Sequence, residues 1–352
     1  MAMSSGQSYP VGARIGDRYA VVRDLGAGRD GHVYLVTDEY LATDVALKLL
    51  APRPGQAATW DEAQLLEQLR SDFLLPVFNA DVAHPSDLRY ITTAYMPGGD
   101  VGNKAAPCGV TTQQAIQWGV DIAHGLDRVH ASGLVHRDVK PANVYLTEAG
   151  NALLGDLGMA HRLDPSGVAP PDGTPATVAP EVLGQGGVCT VASDVYSLGA
   201  TVFYLLTGRY PADTRGETQR VLERVKAGSK RKVRDLGPHV SQSLGQVIEK
   251  CLSIDPADRP GSALDVANRL ASAKVHDRVW SLVPDHQDHL LCMAGAVKRT
   301  AKPVTVCAVP TGPAQCNIEV RLPSGAHVRR HELFGVRRDR VAQELRRLAN
   351  AV

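Results

Sequence analysis

The chain has 352 residues, 44% of them hydrophobic and 21% charged, which is the composition of an ordinary soluble protein with one or two domains. Its formal net charge of +1 gives no electrostatic reason to expect nucleic acid or a membrane surface as a partner. Its six cysteines are scattered without a C-x-x-C pair, which is typical of reduced cytoplasmic thiols and not of a disulfide framework.

The apolar segments and the N-terminal residues argue against membrane insertion. The longest apolar helical stretch, residues 195–206, is too short to span a bilayer and contains Tyr and Ser. Residues 1–10 lack the apolar core of a signal peptide, and we expect residues 1–16 to form a flexible leader. The sequence therefore favours a soluble protein in the cytoplasm.

The part of the chain after this leader is predicted to be rich in β-structure. Five short apolar runs separated by turn-like segments indicate strands, at residues 19–25, 32–37, 44–50, 75–82 and 88–95. Between the third and fourth runs, Ala63, Leu66 and Leu69 recur at helical spacing and predict one helix over residues 59–70.

From Gly98 onward the pattern becomes helical. Residues 112–131 start at a Thr cap, repeat apolar residues at helical spacing and stop near Gly133, which predicts a long helix. Residues 134–180 are expected to be rich in loops. Further helices are predicted at residues 193–207, 216–227, 241–251 and 262–271.

A change of composition after Lys274 indicates a domain boundary between residues 17–273 and residues 274–352. The second segment is predicted to be a small α+β domain. Its expected elements are strands at residues 303–309, 317–322 and 327–331 and an amphipathic helix at residues 337–349.

Three glycines, Gly26, Gly28 and Gly31, form the first chemical signal. In a dinucleotide-binding fold a G-x-G-x-x-G segment leads into a helix, but here a strand follows. This favours a hairpin whose glycine turn lies over phosphate groups, because glycine lets backbone N–H groups approach closely. A glycine-rich hairpin without a ligand is about equally compatible with this segment alone.

Lys48 ends the otherwise apolar run V-A-L-K. Burying a bare ammonium is costly, so this lysine is expected to be paired or functional. Its partner should be a carboxylate on the following helix, where Glu62 and Glu67 compete. We favour Glu62 because it lies four residues before Leu66, which is expected to face the core.

The segment H-R-D-V-K-P-A-N is the most specific signal. Asp138 can accept the proton of an attacking hydroxyl, Lys140 can stabilise charge on a transferring phosphoryl group, and Asn143 can bind a metal through its carbonyl oxygen. Asp156, in a D-L-G segment, adds a carboxylate, and such hard oxygen ligands suit Mg²⁺ or Mn²⁺. The less favoured alternative is that these are surface loop residues that fall at these spacings by chance.

Two further segments, A-P-E ending at Glu181 and D-R-P around Arg259, indicate a buried ion pair, since a buried glutamate needs a buried cation.

Together these segments resemble a Hanks-type (eukaryotic-like) Ser/Thr protein kinase of bacterial style over about residues 17–273. The resemblance implies an α+β, two-lobed fold, with a β-rich lobe containing one helix and a mainly helical lobe. It also implies transfer of the γ-phosphate of ATP to protein hydroxyls, with Mg²⁺ or Mn²⁺. Protein substrates, and a transient homodimer for autophosphorylation, are the partners that it implies.

The resemblance assigns roles that the motifs alone do not. Thr174 would bond Asp138 and Lys140, and Lys140 itself would mark Ser/Thr specificity. Thr93 would be the gatekeeper beside adenine, and Asp100 would reach the ribose. The nucleotide-binding residues that it implies are Gly26, Gly28, Gly31, Val33, Ala46, Lys48, Thr93, Ala94, Met96, Asp100 and Tyr145.

The sequence departs from the family pattern at several positions. Leu157 replaces a usual Phe conservatively, whereas Thr177 replaces a usual Tyr and puts the packing of the substrate loop in question. Tyr145 stands where a Leu usually packs under adenine. Arg137 usually accompanies control by a phosphorylated loop, yet Ser166 is the one hydroxyl residue in that loop before the G-T-P segment. Autophosphorylation of Ser166 and constitutive ordering both stay open.

The C-terminal segment shows no motif that identifies a family. His286, His289 and Cys292 recur at three-residue spacing, and Cys307 and Cys316 follow, so a zinc site is conceivable. The alternative is a small domain with buried cysteines and surface histidines. Its arginine-rich end is more typical of a helix packing on its own domain than of a nucleic-acid arm. We expect a role in substrate recruitment or regulation.

Two other functions are compatible with parts of the sequence. A scaffold of the pseudokinase type, acting through the C-terminal domain, is disfavoured because every catalytic residue is present. A small-molecule phosphotransferase is disfavoured by the G-T-P and A-P-E segments, which resemble a peptide-binding region.

Overall fold

The computed structural model describes residues 9–28, 31–50, 69–83, 88–284, 288–296 and 302–351. Its N-terminal part is a six-stranded antiparallel sheet with the order β1-β2-β3-β4-β6-β5. The strands are β1 (Arg14–Ile15), β2 (Tyr19–Gly28), β3 (Gly31–Asp38), β4 (Thr43–Leu50), β5 (Val77–Ala83) and β6 (Leu88–Ala94). The five predicted strands are confirmed, with ends shifted by a few residues.

Strand β1 corrects the predicted leader. Arg14 and Ile15 pair with β2, and the side chain of Ile15 is completely buried beside Tyr19 and Tyr34. Burial of one apolar side chain at the edge of the sheet holds this part of the chain in place. The predominantly polar composition of residues 1–16 gave no sign of it. Residues 1–8, and all but the end of the helix predicted over residues 59–70, lie outside the described residues.

The next part of the molecule is helical, as predicted. Its helices are α1 (Val101–Ala105), α2 (Thr112–Ala131), α3 (Val191–Thr207), α4 (Thr218–Lys226), α5 (Val233–Leu236), α6 (Gln242–Cys251) and α7 (Ala263–Ala271). Thr111 and Thr190 begin α2 and α3 with capping boxes, which satisfy otherwise unpaired N–H groups. Helices α2, α3, α6 and α7 share one apolar core. The short helices α1 and α5 were not predicted.

Two short ribbons lie between α2 and α3. They pair β7 (Leu134–Val135) with β10 (His161–Arg162), and β8 (Val144–Leu146) with β9 (Ala152–Leu154). The loops that follow β7 and β9 are brought together, because the backbone N–H of Gly155 donates to the carbonyl of Asn143 at 2.9 Å. This places the H-R-D and D-L-G segments side by side.

The C-terminal segment forms a five-stranded antiparallel meander with one helix. The elements are β11 (Val279–Val283), β12 (Leu291–Ala296), β13 (Val304–Pro310), β14 (Gln315–Arg321), β15 (Leu333–Arg337) and α8 (Val341–Ala351). Helix α8 packs on one face of the sheet around the fully buried Trp280 and Leu345. This cluster is separate from the cores of the other two parts.

The predictions for this segment were partly wrong. Strands β13 and β14 and the terminal helix are confirmed, but the strand predicted at residues 327–331 is not formed. Only His327 makes a bridge there, and Arg329–His331 is a 3₁₀ turn before β15. Strands β11 and β12 were missed. In β12 the adjacent Cys292 and Met293 are both buried, so the alternation that signals a half-buried strand is lost.

Contacts join the C-terminal sheet and helix to the helical lobe. Arg346 of α8 lies 3.4 Å from the carboxylate of Asp235 in α5, and Thr112 at the start of α2 donates to the carbonyl of Trp280 at 3.5 Å. Within the described ranges, no helix has the length and apolar character needed to cross a bilayer.

Candidate active site

Asp138 is the centre of a hydrogen-bonded cluster in the loop after β7. Lys140 donates to its Oδ2 at 2.7 Å, and the hydroxyl of Thr174 donates to its Oδ1 at 2.5 Å. Lys140 Nζ also lies 3.1 Å from Thr174 Oγ1, which closes a triangle of three side chains. Because each carboxylate oxygen accepts from a positioned donor, Asp138 is held in one orientation.

Asn143 connects this cluster to the neighbouring loop. Its Nδ2 donates to the backbone carbonyl of Asp138 at 2.9 Å and to the Asp138 carboxylate at 3.1 Å. Since the amide nitrogen is committed to Asp138, the Oδ1 oxygen is the atom that can bind a cation. Asn143 is buried, so this orientation is fixed by its surroundings.

Asp156 supplies a second oxygen ligand from the loop after β9. Its backbone is left-handed, with φ 58° and ψ 66°, a conformation that Asp tolerates better than most residues. Lys48 of β4 donates to its Oδ1 at 2.7 Å. Burial raises the pKa of Asp156, but the charge and hydrogen bond of Lys48, together with smaller effects of His136 and Lys140, hold the pKa below its ordinary value. The carboxylate is therefore anionic at neutral pH.

Asp194, the fourth residue of α3, holds the loop after β7 in place through hydrogen bonds to its backbone. It accepts the backbone N–H groups of His136 at 2.7 Å and Arg137 at 2.9 Å, and His130 lies 2.9 Å away. Burial raises the pKa of Asp194, but the hydrogen bonds and charges of its neighbours lower it overall. The ring of His136 in turn lies 3.1 Å from the carbonyl of Gly155, so the anchor extends to the D-L-G loop.

The glycine-rich hairpin is formed by β2 and β3, in which Gly28 pairs with Gly31. Gly31 has φ 149°, and a Cβ at this position would lie 1.9 Å from the carbonyl oxygen of Leu49. Only glycine therefore allows the hairpin to lie this close to β4. Gly26 also has positive φ, and its N–H donates to Asp24 at 2.7 Å. Residues 29–30 at the tip lie outside the described residues.

Four of the expected nucleotide-binding residues share one face of the N-terminal sheet. Val33 is paired with Lys48, and Ala46 is paired with Thr93, while Ala46 and Lys48 are two residues apart on β4. Side chains alternate along a strand, so all four point to the same side. The alternate residues of β4 belong to the core on the other face. Ala94 ends β6, and Met96 follows two residues later in the connection between the lobes.

Asp100 and Tyr145 lie together where this connection meets the helical lobe, joined by a backbone bridge. The carboxylate of Asp100 caps α1, accepting from the N–H and the side chain of Asn103 at 2.9 and 2.6 Å. Tyr145 packs against Gly155, where a Cβ would lie 2.9 Å from the ring. The aromatic ring that departs from the family pattern is thus accommodated by a glycine beside Asp156.

Arg137 holds the segment that runs from the D-L-G loop to the A-P-E motif. Its guanidinium donates to the carbonyls of Met159 at 2.5 Å and Pro170 at 3.0 Å. Ser166 lies in a turn closed by Asp164, which accepts from its hydroxyl at 2.6 Å and its N–H at 2.9 Å. The contacts of Arg137 with these backbone carbonyls therefore hold the segment in place.

Glu181 and Arg259 form the predicted ion pair, with two parallel contacts of 2.6 and 2.8 Å. The arginine side chain is completely buried, and its guanidinium also packs over the ring of Tyr196. Thr177, which replaces the usual tyrosine, is buried too, and its carbonyl accepts from Ser197 at 2.9 Å. The segment between the G-T-P and A-P-E motifs is thus packed around the smaller side chain.

Comparison with known protein families matches residues 19–272 to the protein kinase domain. The chain belongs to the protein kinase family. The α+β fold and the family predicted from the motifs are confirmed, and ATP and a divalent metal are used generally by protein kinases. The two lobes correspond to the β-sheet and the helical part described above.

Several curated protein kinases are similar to this chain. It is 29% identical over 278 residues to the serine/threonine-protein kinase PrkC of Bacillus subtilis. The aligned region covers 76% of this chain and 42% of PrkC. It is 32% identical over 326 residues to the serine/threonine-protein kinase PknJ of Mycobacterium tuberculosis. Here the aligned region covers 84% of this chain and 53% of PknJ. The chain thus spans about half the length of these relatives.

The structure brings together most of the site residues that the kinase motifs predict. Asp194 belongs to those motifs, but its contacts with His130 and the loop after β7 were not predicted, because a lone histidine on a helix carries no pattern that points to a buried aspartate. Glu62 and its competitor Glu67 lie outside the described residues. The predicted partner of Lys48 on that helix stays a prediction.

Proposed function

We propose that this protein is an ATP-dependent Ser/Thr protein kinase that transfers the γ-phosphate to protein hydroxyls. The observation that carries the proposal is the triangle of Asp138, Lys140 and Thr174, with its carboxylate oriented by two donors. The relatives named serine/threonine-protein kinases support the same conclusion.

In the proposed mechanism the chain acts by positioning and electrostatics. Asp138 orients the acceptor hydroxyl and accepts its proton, and Lys140 neutralises the charge that develops on the transferring group. Thr174 keeps the two side chains in register with each other. Holding both reactants in a reactive geometry removes much of the entropic barrier.

Nucleotide binding is assigned to the face of the N-terminal sheet and the loops beside it. Gly26, Gly28 and Gly31 cover the phosphates, and Lys48 binds the α- and β-phosphates, with Glu62 as its proposed second partner. Adenine and ribose are assigned to the remaining predicted residues, which are Val33, Ala46, Thr93, Ala94, Met96, Asp100 and Tyr145. The shared face of the sheet supports this assignment.

Asn143 and Asp156 are the proposed metal ligands. An amide oxygen and a carboxylate held on adjacent loops make a hard donor set that fits Mg²⁺ or Mn²⁺. Such a cation neutralises phosphate charge when it is bound. The chain contributes the fixed amide of Asn143 and an anionic Asp156, so the ligands need no protonation change at neutral pH.

We also propose the division into a kinase domain at residues 17–273 and a C-terminal domain at residues 274–352, and a cytoplasmic location. The separate apolar cores support the division, and the absence of a disulfide among the six cysteines is compatible with the location. Autophosphorylation, through a transient homodimer, belongs to the same proposal.

The test is phosphate transfer from γ-labelled ATP with Mg²⁺ or Mn²⁺ to a generic basic protein and to the chain itself. We expect labelled phosphoserine or phosphothreonine with the native protein and none with Asp138→Ala. Labelling of an aminoglycoside instead of protein would indicate a small-molecule phosphotransferase. No label under any of these conditions would contradict the proposal and favour a scaffold.

A further inference from the structure

The C-terminal sheet gathers a histidine and two cysteines at one point. Cys292 of β12 lies directly opposite Cys307 of β13, and His289 precedes β12 by two residues. The ligand atoms of the three side chains all lie within 4.8 Å of one another. Three side chains of two types that bind metals in proteins, one imidazole and two thiols, thus converge from two strands and one turn.

The two cysteines do not belong to the apolar core of the sheet. Their neighbours Met293 and Val306 form the next cross-strand pair and face α8 within that core. Because side chains alternate along strands, Cys292 and Cys307 point to the opposite face. They are nevertheless only 1% and 5% exposed. The two thiols are therefore buried although they lie outside the apolar core.

The ligands of this cluster suit a cation of borderline softness. Two thiolates and an imidazole suit Zn²⁺, whereas carboxylate and carbonyl sites suit Mg²⁺. In a tetrahedral zinc site, Zn–S and Zn–N bonds of about 2.3 and 2.0 Å place sulfur and nitrogen roughly 3.5 Å apart. Cys292 Sγ lies 3.4 Å from His289 Nδ1, so the pair is already at that spacing.

We propose that His289, Cys292 and Cys307 bind one zinc ion. The ion links β12 to β13 and fixes the turn before β12, so it stabilises the sheet of the C-terminal domain. The three ligands leave one coordination position for water or another donor. His286, which the sequence also suggested, lies outside the described residues.

Cys316 is not part of the site. It lies on β14 within the apolar core shared with α8 and is completely buried there, and burial raises the pKa of its thiol. It therefore behaves as a small apolar side chain. Because it lies in the same sheet but on the other face, it offers a matched control.

The test measures metal content and does not use kinase activity, so it is independent of the function proposed above. The full chain is produced in zinc-supplemented cells and carries no affinity tag that binds metal. Mass spectrometry should then find about one zinc ion per chain. Cys292→Ala, Cys307→Ala and His289→Ala should each lose most of the zinc, while Cys316→Ala should keep it. Far-UV circular dichroism checks that each variant is folded.

Cobalt substitution of the native chain gives a second readout that needs no variant. We expect sulfur-to-cobalt charge-transfer absorption and the visible bands of tetrahedral Co²⁺, which zinc should displace. Absence of zinc together with absence of the cobalt spectrum would overturn the proposal. So would a disulfide between Cys292 and Cys307 in protein purified with a thiol reductant, or equal zinc loss in the Cys316→Ala control.

Discussion

Lys48 and Asp156 form a 2.7 Å ion pair that joins the N-terminal sheet to the helical lobe. The two residues are 108 positions apart in the chain. The pair keeps a cation and a carboxylate together in the cleft where phosphates and metal are proposed to bind. The lysine must therefore serve both the carboxylate and the nucleotide, which makes its length and charge important.

Replacing Lys48 with Met should lower kcat/KM by on the order of 10²-fold or more, since it removes a charge that acts on the nucleotide phosphates. Steady-state phosphate transfer to a protein substrate measures the effect. Lys104→Met, which changes an exposed lysine of α1, should leave kcat/KM within about twofold. Comparable losses in both variants would contradict a specific role for Lys48.

Thr174 is expected to position Asp138 through its hydroxyl. Thr174→Ala removes a donor to the carboxylate and should reduce kcat by roughly 10- to 100-fold with a smaller effect on the KM for ATP. Thr174→Ser keeps the hydroxyl and should recover most of the activity. If the serine variant were as impaired as the alanine variant, the hydrogen bond would not be the reason for the loss.

Arg137 holds the segment around Ser166 through the backbone carbonyls of Met159 and Pro170, and these contacts do not involve the Ser166 side chain. We therefore expect Ser166→Ala to keep activity within about twofold, and Arg137→Ala to lose on the order of 10-fold or more because the carbonyls of Met159 and Pro170 lose their donor. Peptide mass spectrometry determines whether Ser166 is modified. Stoichiometric phosphate on Ser166 with an inactive Ser166→Ala variant would establish phosphorylation control instead.

The Glu181–Arg259 pair should contribute strongly to stability because the arginine is completely buried. Glu181→Gln leaves that charge without its partner and should lower the free energy of unfolding by about 3–5 kcal/mol. The exposed pair of Asp265 and Arg269 is the comparison, and Asp265→Asn should cost at most about 1 kcal/mol. Chemical denaturation measures both, and equal small effects would contradict the argument from burial.

His239 should make stability depend on pH. It is completely buried, and neither ring nitrogen has a hydrogen-bond partner within the described ranges. Burial, with a smaller effect of His276, lowers the pKa of His239 from 6.5 to about 3. The unfolded chain takes up a proton below pH 6.5 while the folded chain stays neutral. Stability is therefore full above that pH and decreases as pH falls towards about 3, by up to roughly 1.4 kcal/mol per pH unit.

Urea denaturation at about pH 7.5 and about pH 5 measures this dependence. His239→Leu should reduce the difference in unfolding free energy between the two conditions, since the leucine takes up no proton. His161→Gln, at an exposed position, should leave the difference unchanged. An unchanged difference in the His239→Leu variant would show that other groups cause the acid sensitivity.

The motif residues of the site could be predicted because their chemistry is demanding and their spacing is local. Asp138, Lys140 and Asn143 lie within one short loop, so their identities and order alone indicate phosphate transfer. The alternating strands of the N-terminal sheet and the capped helices were also predicted, since periodicity and caps are local signals. Strand β12 was not, because burial of both faces at Cys292 and Met293 removes the period of two.

The sequence by itself determined the family and the fold class, and it predicted which residues perform the chemistry. Only the tertiary structure decided which distant groups meet: Lys48 with Asp156, His130 with Asp194, and Cys292 with Cys307. Periodicity and caps are local patterns that specify individual strands and helices. A pairing between distant residues depends instead on strand register and on how the lobes pack. A shift of one residue would turn each cysteine to the other face of its sheet.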